Sequence, residues 1–217
     1  MRKTIYCTLD TETVGGASNP TGMYNLGCVI HDKHGNILAT TSMLVMEHYD
    51  EIRNDDYAKK NFPIYEERLC KGEMSAVATE TEAVEIVRSL CKFYGVKYVM
   101  AYNSGFDFSK TACRSLLDDF EFIDIQYAFF DTVARQKKYN RFCCENGYVT
   151  AKGNIQMTAE IAHRFCSKDF DFVEEHTALN DALIEMQIFL AVLSTHKKYT
   201  RNIHKGDHFY KVIKAQF

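Results

Sequence analysis

A chain of 217 residues is long enough for one full hydrophobic core with extensions or for two small ones, and 46% hydrophobic with 25% charged residues is ordinary globular usage, which excludes a disordered or fibrous chain. No window approaches the roughly 18 apolar residues of a membrane helix, and the opening MRKTIYCTLD lacks the apolar run of a secretory leader, so no membrane partner and a cytoplasmic location are expected. The net charge of −3 is divided unevenly: residues 197–217 carry six Lys or Arg against one acid, while the remainder carries 20 basic and 28 acidic residues, a basic tail on an acidic body.

In chain order, residues 4–9 (TIYCTL) are β-prone. MYNLGCVI, HDKHGN and ILATTSMLVM read as strand, turn and strand, with Gly35 and Asn36 supplying the turn. Residues 47–72 are polar and charged with one Pro, and read as surface loop and short helix. Residues 80–94 place apolar side chains at 83, 84, 87, 90, 91 and 94, a helical period, with Thr79 or Thr81 as cap and Gly95 as stop. Residues 97–102 form a short apolar strand, 108–120 are helix-like, and 121–130 are β-prone before the basic segment RQKKYNR. Residues 158–165 look helical, and 177–194 give the strongest helical pattern, with Thr177 as natural N-cap. A three-strand meander followed by alternating helices and strands implies a mixed sheet with helices on its faces. Two prolines and the lack of a Gly/Ser-rich linker favour one compact domain over 1–195, with 47–78 as an insertion or loop region and 196–217 as a basic extension.

Three stretches carry the chemistry. In LDTET, Asp10 and Glu12 lie two apart at the end of the first strand and so share one face. Two like charges about 4 Å apart repel by roughly 4 kcal/mol at an effective dielectric near 20, and a divalent cation would relieve this directly. Two solvated acids at a strand end are the plainer alternative for such a pair alone. AYNSGFDFSKT (101–111) follows a short strand and delivers Asp107 where ligands gather in α/β sheets, although Asp107 or Ser109 could equally serve as a helix cap. In EEHTALNDALIEMQIF, His176 precedes a helix whose first turns carry Asp181 toward the sheet, an arrangement suited to general-base work beside a metal, although such a pair alone is more plainly a surface His and an exposed acid.

LDTET, NSGFD and HTALNDA, in this order, resemble the three motifs of the DEDDh (DnaQ-like) 3′–5′ exonucleases, over residues 4–190. The resemblance implies a ribonuclease-H-like fold, an α/β architecture with a five-stranded mixed sheet and helices on both sides. It implies Asp10, Glu12, Asp107 and Asp181 as metal-binding acids for two divalent ions, Mg²⁺ or Mn²⁺, with His176 as the base that deprotonates the attacking water. It also implies Thr11, Thr13 and Asn103 at the pocket for the terminal nucleotide. Tyr102 departs from the pattern, since relatives often carry His before that asparagine, and Asp131-Thr132 reads as a structural feature.

The expected function is release of nucleoside monophosphates from the 3′ ends of DNA or RNA, single-stranded DNA foremost. A non-catalytic nucleic-acid-binding module of the same fold is the alternative. Phe106, Phe108, Tyr102 and Met23 are candidate stacking platforms, each also a core candidate; Lys110, Arg135, Lys137, Lys138, Arg141 and the basic residues of the tail are candidate phosphate contacts, most also candidates for a merely solvated face. A homodimer or a polymerase partner is left open. The eight cysteines show no regular framework and read as reduced core thiols; a zinc site from Cys143, Cys144, His163 and Cys166 is a rival, disfavoured because adjacent cysteines fit a tetrahedral ion poorly.

Overall fold

The computed structural model describes residues 4–15, 20–202 and 212–216. The opening hairpin pairs β1 (Ile5–Val14) with β2 (Gly22–Asp32), and β2 continues antiparallel to β3 (Ile37–Val45). On the other side of β1, β5 (Tyr98–Ala101) and β6 (Glu121–Asp124) add in parallel. These are the five expected strands. A sixth, β4 (Ser75–Val77), joins the β3 edge in parallel, giving the order β4-β3-β2-β1-β5-β6.

β1 outruns its predicted end at residue 9 because its pairing with β2 persists to Val14 opposite Gly22, with a bulge between Glu12 and Thr13. Its pairing with β5 stops at Thr8, so Asp10 and Glu12 still lie past the end of the parallel neighbour.

The helices are α1 (Tyr49–Asn54), α2 (Phe62–Lys71), α3 (Glu80–Tyr94), α4 (Asp107–Lys110), α5 (Ile125–Phe129), α6 (Lys137–Glu145), α7 (Ala159–Ser167) and α8 (Ala178–Ser194). α3 has the bounds its periodicity predicts: the Thr79 side chain accepts from Glu82 N, and Gly95 closes the helix in the left-handed region. The 108–120 stretch divides into α4 and a 3₁₀ segment, Ala112–Asp118. The β-prone run 121–130 is strand only to Asp124. There the carboxylate accepts from Tyr127 N and starts a helix, so local capping overrides the aromatic, β-branched composition.

Among the described residues four packed clusters surround the sheet, the smallest joining Val29 of β2 to Ala182 and Met186 of α8. One face buries Leu9, Leu26, Cys28 and Val99 against Val84 and Val87 of α3. The other buries Tyr6, Met100 and Ile123 against Phe129, Tyr139 and Phe189. The third lies under residues 47–78, where Val14, Tyr24 and Leu44 meet Ile52, Ala58, Phe62 and Tyr65. The segment expected as surface loop and short helix thus holds two helices and an edge strand with an apolar underside, a feature masked by the charges on its outer face.

Among the described residues, parts of the basic extension pack on the body. Thr200 donates to Asp131 through N and Oγ1, Arg201 lies over the Tyr98 and Tyr199 rings, and Ala215 N donates to Gly153 O. Lys205 and Lys211 lie outside the described residues. All eight cysteines are free thiols. No helix among the described residues is long and apolar enough to cross a membrane.

One contact seats α8. Gly27 lies opposite Asp10 in the β1–β2 register, and a Cβ built there would come within 2.2 Å of Leu179 N and 2.3 Å of Ala178 C. Only glycine lets the start of α8 rest on the strand. Beside it, Asn25 Oδ1 accepts from Ala178 N at 3.0 Å and so supplies the cap expected from Thr177, whose own side chain makes no cap bond. Gly27→Ala should therefore destabilise the fold by about 1–3 kcal/mol. Thermal unfolding would register this as a fall of about 2–10 °C; an unchanged midpoint would show that the close approach does not seat the helix.

Candidate active site

Glu12, on β1, and Asp181, on the first turn of α8, meet because Gly27 and Asn25 draw the helix start onto the sheet. Ligand atoms of Glu12, Asp181 and His176 all lie within 4.8 Å of one another. Both carboxylates are buried, and Asp181 Oδ1 is fully enclosed without a hydrogen-bond partner. His176 is exposed in the loop before α8 and holds the left-handed backbone conformation, φ 58°, unusual for a residue with a side chain. Its Nδ1 lies 3.9 Å from Glu174 Oε2.

Asp107 reaches the site from the first residue of α4. Its Oδ1 accepts from Thr11 N at 3.1 Å and from Thr11 Oγ1 at 2.7 Å. Thr11, between the two acids of β1, thus uses its hydroxyl to hold the third acid. Thr13 is buried in the same strand. The loop leading to Asp107 is fixed by Asp124, whose Oδ2 accepts from Ser104 N and Oγ at 2.9 Å each. Asn103 is exposed there with φ 58°, and Phe106 is half-buried. Tyr102 packs in the core and donates through its hydroxyl to Met157 O at 2.8 Å, while Phe108 and Met23 are buried, so the core alternative describes all three.

The electrostatics are one-sided. Burial, reinforced by Asp10 and Glu174, pushes the Glu12 carboxyl up to about 9. Burial, then the charges of Glu174 and Glu12, raises Asp181 to about 9. Asp10 is held well above the usual carboxylate range by burial and by Asp107 and Asp181. Asp107 rises to about 7 through burial, the Thr11 bonds opposing the shift. The largest charge influences on Asp10, Glu12 and Asp181 are other carboxylates, with no lysine or arginine among them. An enclosed, unpartnered carboxylate oxygen among converging acids could serve as a donor to a hard divalent cation.

Two further acids belong to this surround and were not singled out in the sequence. Glu185 is buried one turn beyond Asp181 and accepts from Tyr102 N at 3.0 Å; burial and the charges of Asp10 and Asp107 hold it well above its ordinary range. Its spacing of four from Asp181 within an apolar run was a readable signal. Glu174 sits beside His176 in a polar loop and is raised by burial, with His176 opposing; nothing in EEHT distinguishes it.

The zinc alternative is not supported. Among the described residues, the group of His, Cys, Asp and Glu able to share a metal is Glu12, His176 and Asp181. His163 Nε2 instead meets Gln187 Oε1 at 2.9 Å, and Cys143 lies against Gln156 O.

No protein-family model and no curated protein matches the chain. Among solved structures, it is similar to Escherichia coli exonuclease I in complex with a dA16 oligonucleotide, with a TM-score of 0.50 and 12% identity. The match covers 90% of this chain and 41% of that one, so this chain spans less than half the length of its neighbour. The shared fold is a mixed α/β sheet flanked by helices, consistent with the ribonuclease-H-like class, and the neighbour is a nuclease.

Proposed function

We propose that this protein is a metal-dependent 3′–5′ exonuclease that releases nucleoside monophosphates from single-stranded DNA or RNA. The observation that carries the reading is the enclosed, unpartnered Asp181 oxygen beside Glu12 and His176, at the end of a sheet whose fold is that of a nuclease. Asp10, Glu12, Asp107 and Asp181 would hold two divalent ions, Mg²⁺ or Mn²⁺. When bound, such ions neutralise charge on phosphoryl oxygens and make water a better nucleophile at neutral pH. Hard cations prefer oxygen, which leaves the exposed imidazole of His176 to take the proton of the attacking water. Thr11 holds Asp107 in register with the β1 acids. Thr13, Asn103 and Phe106 border the position for the terminal nucleotide. The exposed Lys110, Arg135, Lys137, Lys138 and Arg141 supply phosphate contacts farther along the strand.

The test is digestion of 5′-labelled single-stranded DNA, duplex DNA and RNA with Mg²⁺ or EDTA. A ladder shortening one nucleotide at a time from the 3′ end, lost in EDTA, supports the proposal. Binding without turnover would favour the non-catalytic alternative, and internal cuts would contradict exonucleolytic action.

The raised carboxyls also predict a pH dependence of stability. Below about pH 4 folded and unfolded chains are both protonated and the difference vanishes. Above that, the unfolded chain releases protons that Glu12 and Asp181 keep until about 9, so metal-free stability falls as pH rises across this window. In EDTA the unfolding midpoint should drop between pH 5 and pH 8.5, by about 5 °C or more, and Mg²⁺ or Mn²⁺ should flatten the slope. A midpoint independent of both pH and metal would sink the cation-site reading.

A further inference from the structure

The 47–78 segment makes side-chain hydrogen bonds to the loop that carries His176. Asn61 Nδ2 and the Tyr65 hydroxyl both donate to the His176 carbonyl, at 3.1 and 3.2 Å. Arg68 donates to both Glu175 carboxylate oxygens, at 2.8 and 2.9 Å, and to Thr177 Oγ1 at 3.3 Å. Residues 61, 65 and 68 are spaced i, i+4, i+7 from the cap of α2, so they share one helical face. The residues before, at and after the turn into α8 are therefore gripped by that face. A non-glycine residue in the left-handed region persists where its surroundings over-determine it, and three side chains do so here.

We infer that α2 is a positioning clamp for His176: Asn61, Tyr65 and Arg68 fix the 175–177 turn and so hold the imidazole over Glu12 and Asp181. The inference rests on the proposed role of His176 as base. None of the three residues touches the reacting atoms. The clamp also accounts for the apolar underside of the segment, since Phe62 and Tyr65 anchor the same helix to Val14, Tyr24 and Leu44 of the sheet. Asp181 is set independently by Gly27 and Asn25, so loosening the clamp moves the base and leaves the acids in place.

The double variant Asn61→Ala/Tyr65→Phe removes both donors to the carbonyl and keeps the buried ring of Tyr65. It should lower kcat about 10–100-fold with KM unchanged within threefold, as expected for a misplaced catalytic group. Independently of activity, the His176 ring resonance, assigned in histidine-labelled protein by its loss in His176→Gln, should shift or split in the metal-free double variant. The resonances of buried His31 and His163 should stay in place. A kcat within twofold of wild type together with an unmoved His176 resonance would overturn the clamp. If the wild-type chain shows no metal-dependent hydrolysis, the function proposal fails, and the resonance alone decides the clamp: movement supports it and none refutes it.

Discussion

Asp10→Asn is expected to abolish turnover while making the metal-free protein more stable. Asp10 stands between Asp107 and Asp181 in their electrostatic influence, and burial and these like charges oppose its ionised form. An isosteric amide removes the repulsion, and the unfolding midpoint in EDTA should rise by about 2–6 °C. The same change removes the charge of one of the acids that would hold the proposed ions, so hydrolysis in Mg²⁺ should fall by about 10³-fold or more. Opposite movements of stability and activity separate a functional acid from a structural one. A midpoint several degrees lower would mean that Asp10 holds the fold together.

His176→Gln is the second large effect. The side chain is exposed and its backbone is held by contacts to the carbonyl, which the substitution leaves in place, so the fold should be unaffected. Loss of a general base costs about 10²–10⁴ in kcat. KM and the affinity for Mn²⁺ should change little. Weakened Mn²⁺ binding with a preserved rate at saturating metal would instead make His176 a ligand, which its proximity to Glu12 and Asp181 permits.

Much of this site is legible in the chain because its parts obey local rules. The two-residue spacing of Asp10 and Glu12 on a strand, the apolar period of 80–94 and the helix after His176 each follow from backbone periodicity alone. What was hidden depends on contacts between distant segments. Thr177 looked like the cap of α8, yet Asn25, over 150 residues earlier, makes the bond. Gly27 sits within a strand pattern and gives no sign that a helix rests on it. The 47–78 segment shows its charges in sequence and hides its apolar face, because Ile52, Ala58, Phe62 and Tyr65 are spread over two short helices and a 3₁₀ turn. The resemblance puts Thr11 at the nucleotide pocket but gives no sign that its hydroxyl bonds Asp107, a partner 96 positions away.

The role proposed for the clustered carboxylates is to hold cations for removal of a 3′-terminal nucleotide. Its most direct test is a single-turnover assay on an oligonucleotide carrying a radiolabelled 3′-terminal nucleotide with a free 3′-hydroxyl. Wild-type protein in Mn²⁺ should release the label as a nucleoside monophosphate, with none released in EDTA or by Asp10→Asn. Release that persists in EDTA, or an Asp10→Asn variant as fast as wild type, would contradict the account.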